Sequence, residues 1–396
     1  MLRFLSLVAL ALVCPIAPSA SAPPPADRCA SVNFGPLVNG THHLPPGRHT
    51  LPAGCTFRVK LVITNSDTTL DCSGSALDGS GVPPIVAGAN GKPERGGATG
   101  LVIYAPPKAT TQNVTVRNCA FRNYSRDGIT ISSGFSASQP SPDTNRSVRN
   151  VLIDFVTIEK SGHVGLYIRP RSTDILVRNS TITNSAGTAV YIELAQRVRL
   201  LQNRFVRNGW SATKRRLREA VAIDASTETH IASNLFKDNG LGGIFLYRNC
   251  GEFHGFTRWQ SSDRNTISEN VFVNEEVGVW IASRQSVDVK NLACSAPPMD
   301  SSGRYVEDFA NNNRVQCNVF CSVSNGVRVE GDNNEVVNNT FSTGTSNRVQ
   351  IPETARGRIL GRPPVGNVTS PNATDELACV RPPEPTNVEC VLDRLQ

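Results

Sequence analysis

The chain has 396 residues, 18% of them charged, and 40 Lys and Arg against 33 Asp and Glu give a formal net charge of +7. That excess is too small for a nucleic-acid-binding composition, and no such partner is expected, though it favours an anionic ligand. Ordinary scaling would split this length into two or three globular domains. The low charge, 31 Gly and lack of low-complexity tracts instead suit a turn-rich, ordered β protein.

Residues 1–22 read as a secretory signal. Arg3 is the charged start, Phe4 to Val13 the apolar run, and the small residues from Ala17 to Ala22 offer cleavage within Ala20 to Ala22. The apolar run is too short to span a bilayer, and no other run approaches that length. Residues 23–60 form an irregular leader and N-terminal cap.

From residue 61 to 351 the chain repeats itself. Eight strand-like runs, most ending in Asn-x-Phe or a variant of it, are each followed by Gly-apolar-x-apolar or a close relative. Ile158 to Ile182 spans 24 residues, Ile182 to Phe205 spans 23, and Phe320 to Phe341 spans 21. Self-similarity at this period means a solenoid, and short period-2 strands without a helical stripe make it a β-solenoid. Such a rod grows coil on coil as a single elongated domain. Insertions at roughly 132–148, 209–218, 249–264 and 284–311 lengthen the period and become loops. Residues 352–396 form a Pro-rich tail that packs along or caps the rod.

Asn203, Asn234, Asn270, Asn318 and Asn339 stand two residues before a Phe in successive units. Stacked about 4.8 Å apart, their amides can bond along the rod. Phe121, Phe205, Phe236, Phe272, Phe320 and Phe341 are expected inside it. These features resemble the right-handed parallel β-helix of the pectate-lyase-like superfamily over about residues 60–351. The resemblance implies an all-β, right-handed parallel β-helix and leaves activity open, since that superfamily holds pectate and alginate lyases, mannuronan epimerases, polygalacturonases and phage tailspikes. Neither the polygalacturonase motifs nor the Asp-Pro-His of mannuronan epimerases is found; Gly162-His163-Val164-Gly165 only grazes Gly-His-Gly.

Once the signal is removed, ten cysteines remain, an even number that suggests disulfides in an exported chain. Cys29 with Cys55, Cys250 with Cys294, and Cys379 with Cys390 are plausible pairs. Cys72, Cys119 and Cys317 could equally be buried thiols. Without a CxxC, and with the histidines far from the cysteines, zinc is not expected.

Strand alternation turns the repeat into columns. With Leu166/Ile168, Val190/Ile192 and Val221/Ile223 inward, the outward column reads Thr130, Tyr167, Tyr191, Ala222, Phe245, Trp280, Arg328. Its aromatics could stack sugar rings or lie beneath a loop. Two residues on, Arg169, Glu193, Asp224 and Tyr247 follow one another, flanked by Arg171 and Arg248. Carboxylates on adjacent rungs, roughly 5–6 Å apart, would raise one another's pKa. Glu193 and Asp224 could serve as an acid and nucleophile pair for hydrolysis or ligate Ca²⁺, or they could form a charge ladder with Arg169. His163, with Arg126 and Asp127, sits in the turn leading in; it is either a solvated turn residue or a proton carrier. Lys214 and Arg218 lie in a basic loop, and Arg258, Trp259, Gln260 and Arg284 sit at loop roots, as subsite residues or packing pegs.

The function expected is therefore that of an exported, monomeric protein acting on an acidic, uronate-containing polysaccharide, by β-elimination or C5 epimerisation. Tyr167 or His163 would move protons, Arg169 and Arg248 would hold the carboxylate, and Glu193 and Asp224 would bind Ca²⁺ or tune the base. Tyr191, Arg171, Lys214, Arg218, Phe245, Tyr247, Trp280 and Arg284 would contact the chain. A glycoside hydrolase and a non-catalytic carbohydrate-binding scaffold are the rivals.

Overall fold

The computed structural model describes residues 26–83, 97–133, 146–210, 217–249, 258–283, 310–354, 357–358, 361–375 and 379. The proposed signal, Lys214, Cys250, Arg284, Cys294 and Cys390 lie outside the described residues. Three sheets of 12, 11 and 10 strands run the length of the rod, each coil contributing one short strand to each. Pairing is parallel throughout, except where Leu37–Val38 meets Thr41–His43 at one end. The 12-stranded sheet carries the site; its central strands are Ile129–Ser132, Leu166–Ile168, Val190–Glu193, Glu219–Asp224, Gly242–Tyr247 and Val277–Ile281.

The register read from the repeat is the register found. Leu166 pairs with Val190, Val190 with Val221, Val221 with Ile244, and Ile244 with Val279. All five are at 0% exposure, so each rung sends its apolar residues into one continuous core. The Gly that opens the apolar-x-apolar strand is explained by the neighbouring Phe. A Cβ on Gly243 would stand 2.6 Å from the Phe272 ring.

Phe205, Phe236, Phe272, Phe320 and Phe341 stack without a break, their ring centres 4.8–5.0 Å apart. Phe121 is also buried, but Ile158 and Ile182 separate it from that stack. The asparagine ladder is present: each of Asn203, Asn234, Asn270 and Asn318 donates its Nδ2 to the Oδ1 of the next, over 2.9–3.0 Å. The left-handed backbone falls at the residue before each asparagine, at Gln202, Ser233, Glu269, Cys317 and Asn338, which turns the following amide inward. Two further ladders were not anticipated, Asn265–Asn313–Asn334 and Asn208–Asn239–Glu275.

Cys29 bonds Cys55 as expected, and Cys72 and Cys119 form a disulfide instead of remaining thiols. Cys379 pairs with Cys321, not Cys390. Those two sulfurs meet because the tail returns along the 11-stranded sheet, where Ala373–Thr374 pairs with Thr340–Phe341. Cys317 is also disulfide-bonded, not a free thiol. Among the described residues no helix is long and apolar enough to cross a membrane.

Candidate active site

Glu193, Asp224 and Tyr247 emerge side by side from consecutive rungs, and so do Tyr167 and Tyr191 in the column before them. Their exposure differs from expectation. Glu193 is 2% exposed, Asp224 0%, Phe245 3% and Tyr247 6%. Asn249 and Arg258, where the 249–264 insertion leaves and rejoins the rod, close over Glu193 and Asp224.

Arg258 is the keystone of that cover. Its Nη2 donates to Glu193 Oε1 at 2.5 Å and to Asp224 Oδ2 at 2.9 Å, and its Nε adds a bond to Asp224 at 3.2 Å. Tyr167 donates its hydroxyl to Glu193 Oε2 at 2.7 Å, and Tyr191 repeats the pattern one rung on, donating to Asp224 Oδ2 at 2.9 Å. Asn249 gives Asp224 both its backbone N–H and its side-chain amide. Neither carboxylate therefore has the open oxygens a Ca²⁺ ion needs: a guanidinium fills the space between them, and the pair does not fit as a metal site. Among the described residues no cluster of three or more His, Cys, Asp or Glu could hold a metal.

Burial pushes Glu193 above the usual carboxylate range; Arg258 opposes that shift and Asp224 adds to it. Burial, and then the neighbouring carboxylates, raise both tyrosines well above the phenol range. At neutral pH these are phenols that can give a proton, not phenolates that take one.

A cavity of about 560 Å³ opens beside this array, lined by His163, Tyr167, Tyr191, Glu193, Arg218 and Arg258, among others. His163 stands at its edge, its Nδ1 2.9 Å from Asp127 Oδ1. Asp127 is 1% exposed and also accepts from the Val164 N–H and the Thr130 hydroxyl. A buried acceptor held this firmly fixes the ring and leaves Nε2 for proton exchange. Asp127 of the preceding coil thus orients a histidine in a cavity that Tyr167, Tyr191 and Glu193 also line.

Other expected contacts lie elsewhere. Arg169 lines a second cavity, and its guanidinium sits 5.2 Å from the centre of the Tyr167 ring. Arg248 braces the cover by donating to the Arg258 carbonyl, and Arg171 lies over Trp259 at 5.8 Å. Tyr247 donates to Glu219, while Phe245 meets Trp280 edge-on within a small apolar cluster that includes Ala222 and Ala282. Phe245 and Tyr247 are thus buried against neighbouring rungs. Arg328 lies over the Trp280 ring at 5.1 Å. In the sequence, Arg258 does not stand out as the clamp, nor Asn249 as a partner of Asp224, nor Asp127 as the partner of His163. A residue in an insertion has no column, so only the Asp127–His163 pairing, one coil apart, left a readable trace.

Residues 108–293 match the family model described as the right handed beta helix region. No curated protein matches the sequence. Among solved structures, the chain is similar to an alginate lyase from Paenibacillus sp. str. FPU-7, at 13% identity over 83% of this chain and 98% of that one, with a TM-score of 0.38. It is also similar to the A-module of the Azotobacter vinelandii mannuronan C-5 epimerase AlgE4, at 12% identity over 84% and 91%, with a TM-score of 0.40. The catalytic domain of a GH87 alpha-1,3-glucanase in complex with nigerose gives 11% identity over 87% of this chain and 63% of that one, with a TM-score of 0.38. These likenesses are too distant to carry an activity. By its three stacked parallel sheets, with a family match over residues 108–293, the chain has the fold of a right-handed parallel β-helix.

Proposed function

We propose that this is an exported protein, with a signal over 1–22, a cap over 23–60, the rod over 61–351 and a tail over 352–396, and that it acts on a uronate-containing polysaccharide as a lyase or C5-epimerase. One observation carries this reading: His163, oriented by Asp127, and Tyr167, bonded to Glu193, face the same cavity. The disulfides support export.

His163 Nε2 takes the proton at C5, α to the carboxylate, and the electrons pass into that carboxylate, which Arg218 on the cavity wall neutralises. In elimination, those electrons return to form the C4–C5 double bond as the C4–O bond breaks, and the leaving oxygen takes a proton from Tyr167. In epimerisation, the C4–O bond stays and Tyr167 returns a proton to C5 on the opposite face. Glu193, bonded to the Tyr167 hydroxyl and with its pKa raised by burial, passes a proton back to the phenolate.

Hydrolysis by Glu193 and Asp224 is disfavoured, because Asp224 has no exposed surface and its oxygens are taken by Arg258, Tyr191 and Asn249. The test is incubation with alginate, pectate and glycosaminoglycans, following ultraviolet absorbance of unsaturated ends and the C5 configuration by NMR. Either signal, abolished in His163→Ala, supports the reading. Cleavage without a new double bond would reinstate hydrolysis, and binding without any turnover would make the protein a scaffold.

A further inference from the structure

The second cavity, of about 630 Å³, spans the coils preceding the candidate active site. Its walls carry Lys60, Arg126, Arg169, Tyr104, Thr130 and Asp127, among others. Lys60 is 3% exposed, and among the described residues its ammonium has a single hydrogen bond, to the Pro83 carbonyl at 3.1 Å, and no carboxylate within 4 Å. Burial lowers its pKa, the signature of an ammonium stripped of water without a counter-charge. Arg169 also lacks an ion pair among the described residues, and its Nε is buried without an acceptor. Asp127 does not balance them: its oxygens already serve His163, Val164, Thr130 and, at 3.4 Å, Arg126. A concave site in which Lys60 and Arg169 lack an ion pair among the described residues suits an anion.

This cavity and the first share a wall. Asp127 lines one while bonding His163 in the other, and Arg169 lies over the ring of Tyr167, whose hydroxyl end serves the other. Two or three rungs separate their centres, roughly 10–14 Å at ~4.8 Å per rung. We propose that the cavity walled by Lys60, Arg126 and Arg169 is an anion subsite that grips the carboxylate of a sugar residue further along the same glycan, so that a bound polyuronate lies along the rod axis. This rests on the polyuronate reading above, and it predicts that affinity grows with chain length through a residue remote from the chemistry.

Lys60→Met tests it, because methionine fills the same space without a charge and relieves a buried ammonium. Calorimetric titration would compare wild type and K60M against dimers and hexamers prepared from alginate, pectate and hyaluronan, a heparin hexamer as the sulfated probe, and a neutral glucan hexamer. One hexauronate should bind wild type at least tenfold more tightly than K60M, its dimer equally to both, and the glucan to neither, with the melting temperature of K60M unchanged or raised. Equal hexauronate affinity in the two proteins would overturn the subsite, even if wild type turns the polymer over. Binding of no anionic hexamer by wild type would overturn it too. A Lys60-dependent preference for the heparin hexamer would overturn carboxylate as its ligand and name sulfate. Lys60-dependent binding with no turnover would keep the subsite and sink the lyase or epimerase reading, so the two failures separate.

Discussion

His163 and Asp127, one coil apart, meet through a 2.9 Å hydrogen bond between ring Nδ1 and a carboxylate that has almost no contact with water. In a rod of repeating coils, neighbours in space are residues one period apart in sequence, so this pair comes from equivalent turns. His163→Ala should lower kcat by about 10²–10⁴ with little loss of stability, since the ring is 44% exposed. Asp127→Asn should lower kcat in the same direction by releasing the ring. Initial rates beside thermal melts check both; wild-type turnover in H163A would remove the histidine from the chemistry.

Arg258 bridges Glu193 and Asp224 with ion pairs of 2.5 and 2.9 Å. Arg258→Ala would strand two buried carboxylates, which should cost about 3–5 kcal/mol by urea denaturation. Combining Arg258→Met with Glu193→Gln and Asp224→Asn removes all three charges and should recover most of that loss. If R258A alone is neutral, the clamp does not hold the cover down.

Tyr167→Phe deletes one 2.7 Å hydrogen bond to a buried carboxyl group, a loss of about 1–3 kcal/mol. The proton donor disappears with it, so kcat should fall more than substrate affinity does. An Y167F protein with undiminished kcat would transfer the donor role to another group.

Glu275 closes the ladder of Asn208 and Asn239, accepting from the Asn239 amide at 2.7 Å, while its Oε2 is buried without a partner. Burial raises its pKa well above the usual carboxylate value. The folded state therefore holds this proton at pH values where the unfolded chain, with a pKa of about 4.3, has lost it. The contribution of Glu275 is complete below the unfolded pKa and is lost as pH rises through the folded one. Glu275→Gln keeps the acceptor and cannot ionise, so it should be close to wild type in acid and progressively more stable than wild type as pH rises. Parallel melting curves of the two proteins at all pH values would show that Glu275 is not protonated in the fold.

The columns were legible because alternation and period determine them. Tyr167, Tyr191, Glu193, Asp224 and Tyr247 fall where the repeat puts them. Their environment was not legible. Whether Glu193 and Asp224 face water depends on where the 249–264 insertion returns, and that insertion has no repeat to align with. Arg258 looked like any polar residue at a loop root, although it decides that Glu193 and Asp224 hold a guanidinium and not a metal. The Cys321–Cys379 bridge escaped for the same reason: it joins a coil to a tail outside the periodic register.

Asn334 and Asn339 each pass a backbone N–H to an amide oxygen of the tail, at Asn367 and Asn372, and Ala373–Thr374 lies beside the last Phe-bearing strand. The segment after the repeat thus works as a stopper. A protein cropped after Gln350 would carry raw strand ends able to recruit another molecule of the same kind, and it should run as head-to-tail oligomers in gel filtration. The length of the rod is in that sense held by a few asparagines beyond it.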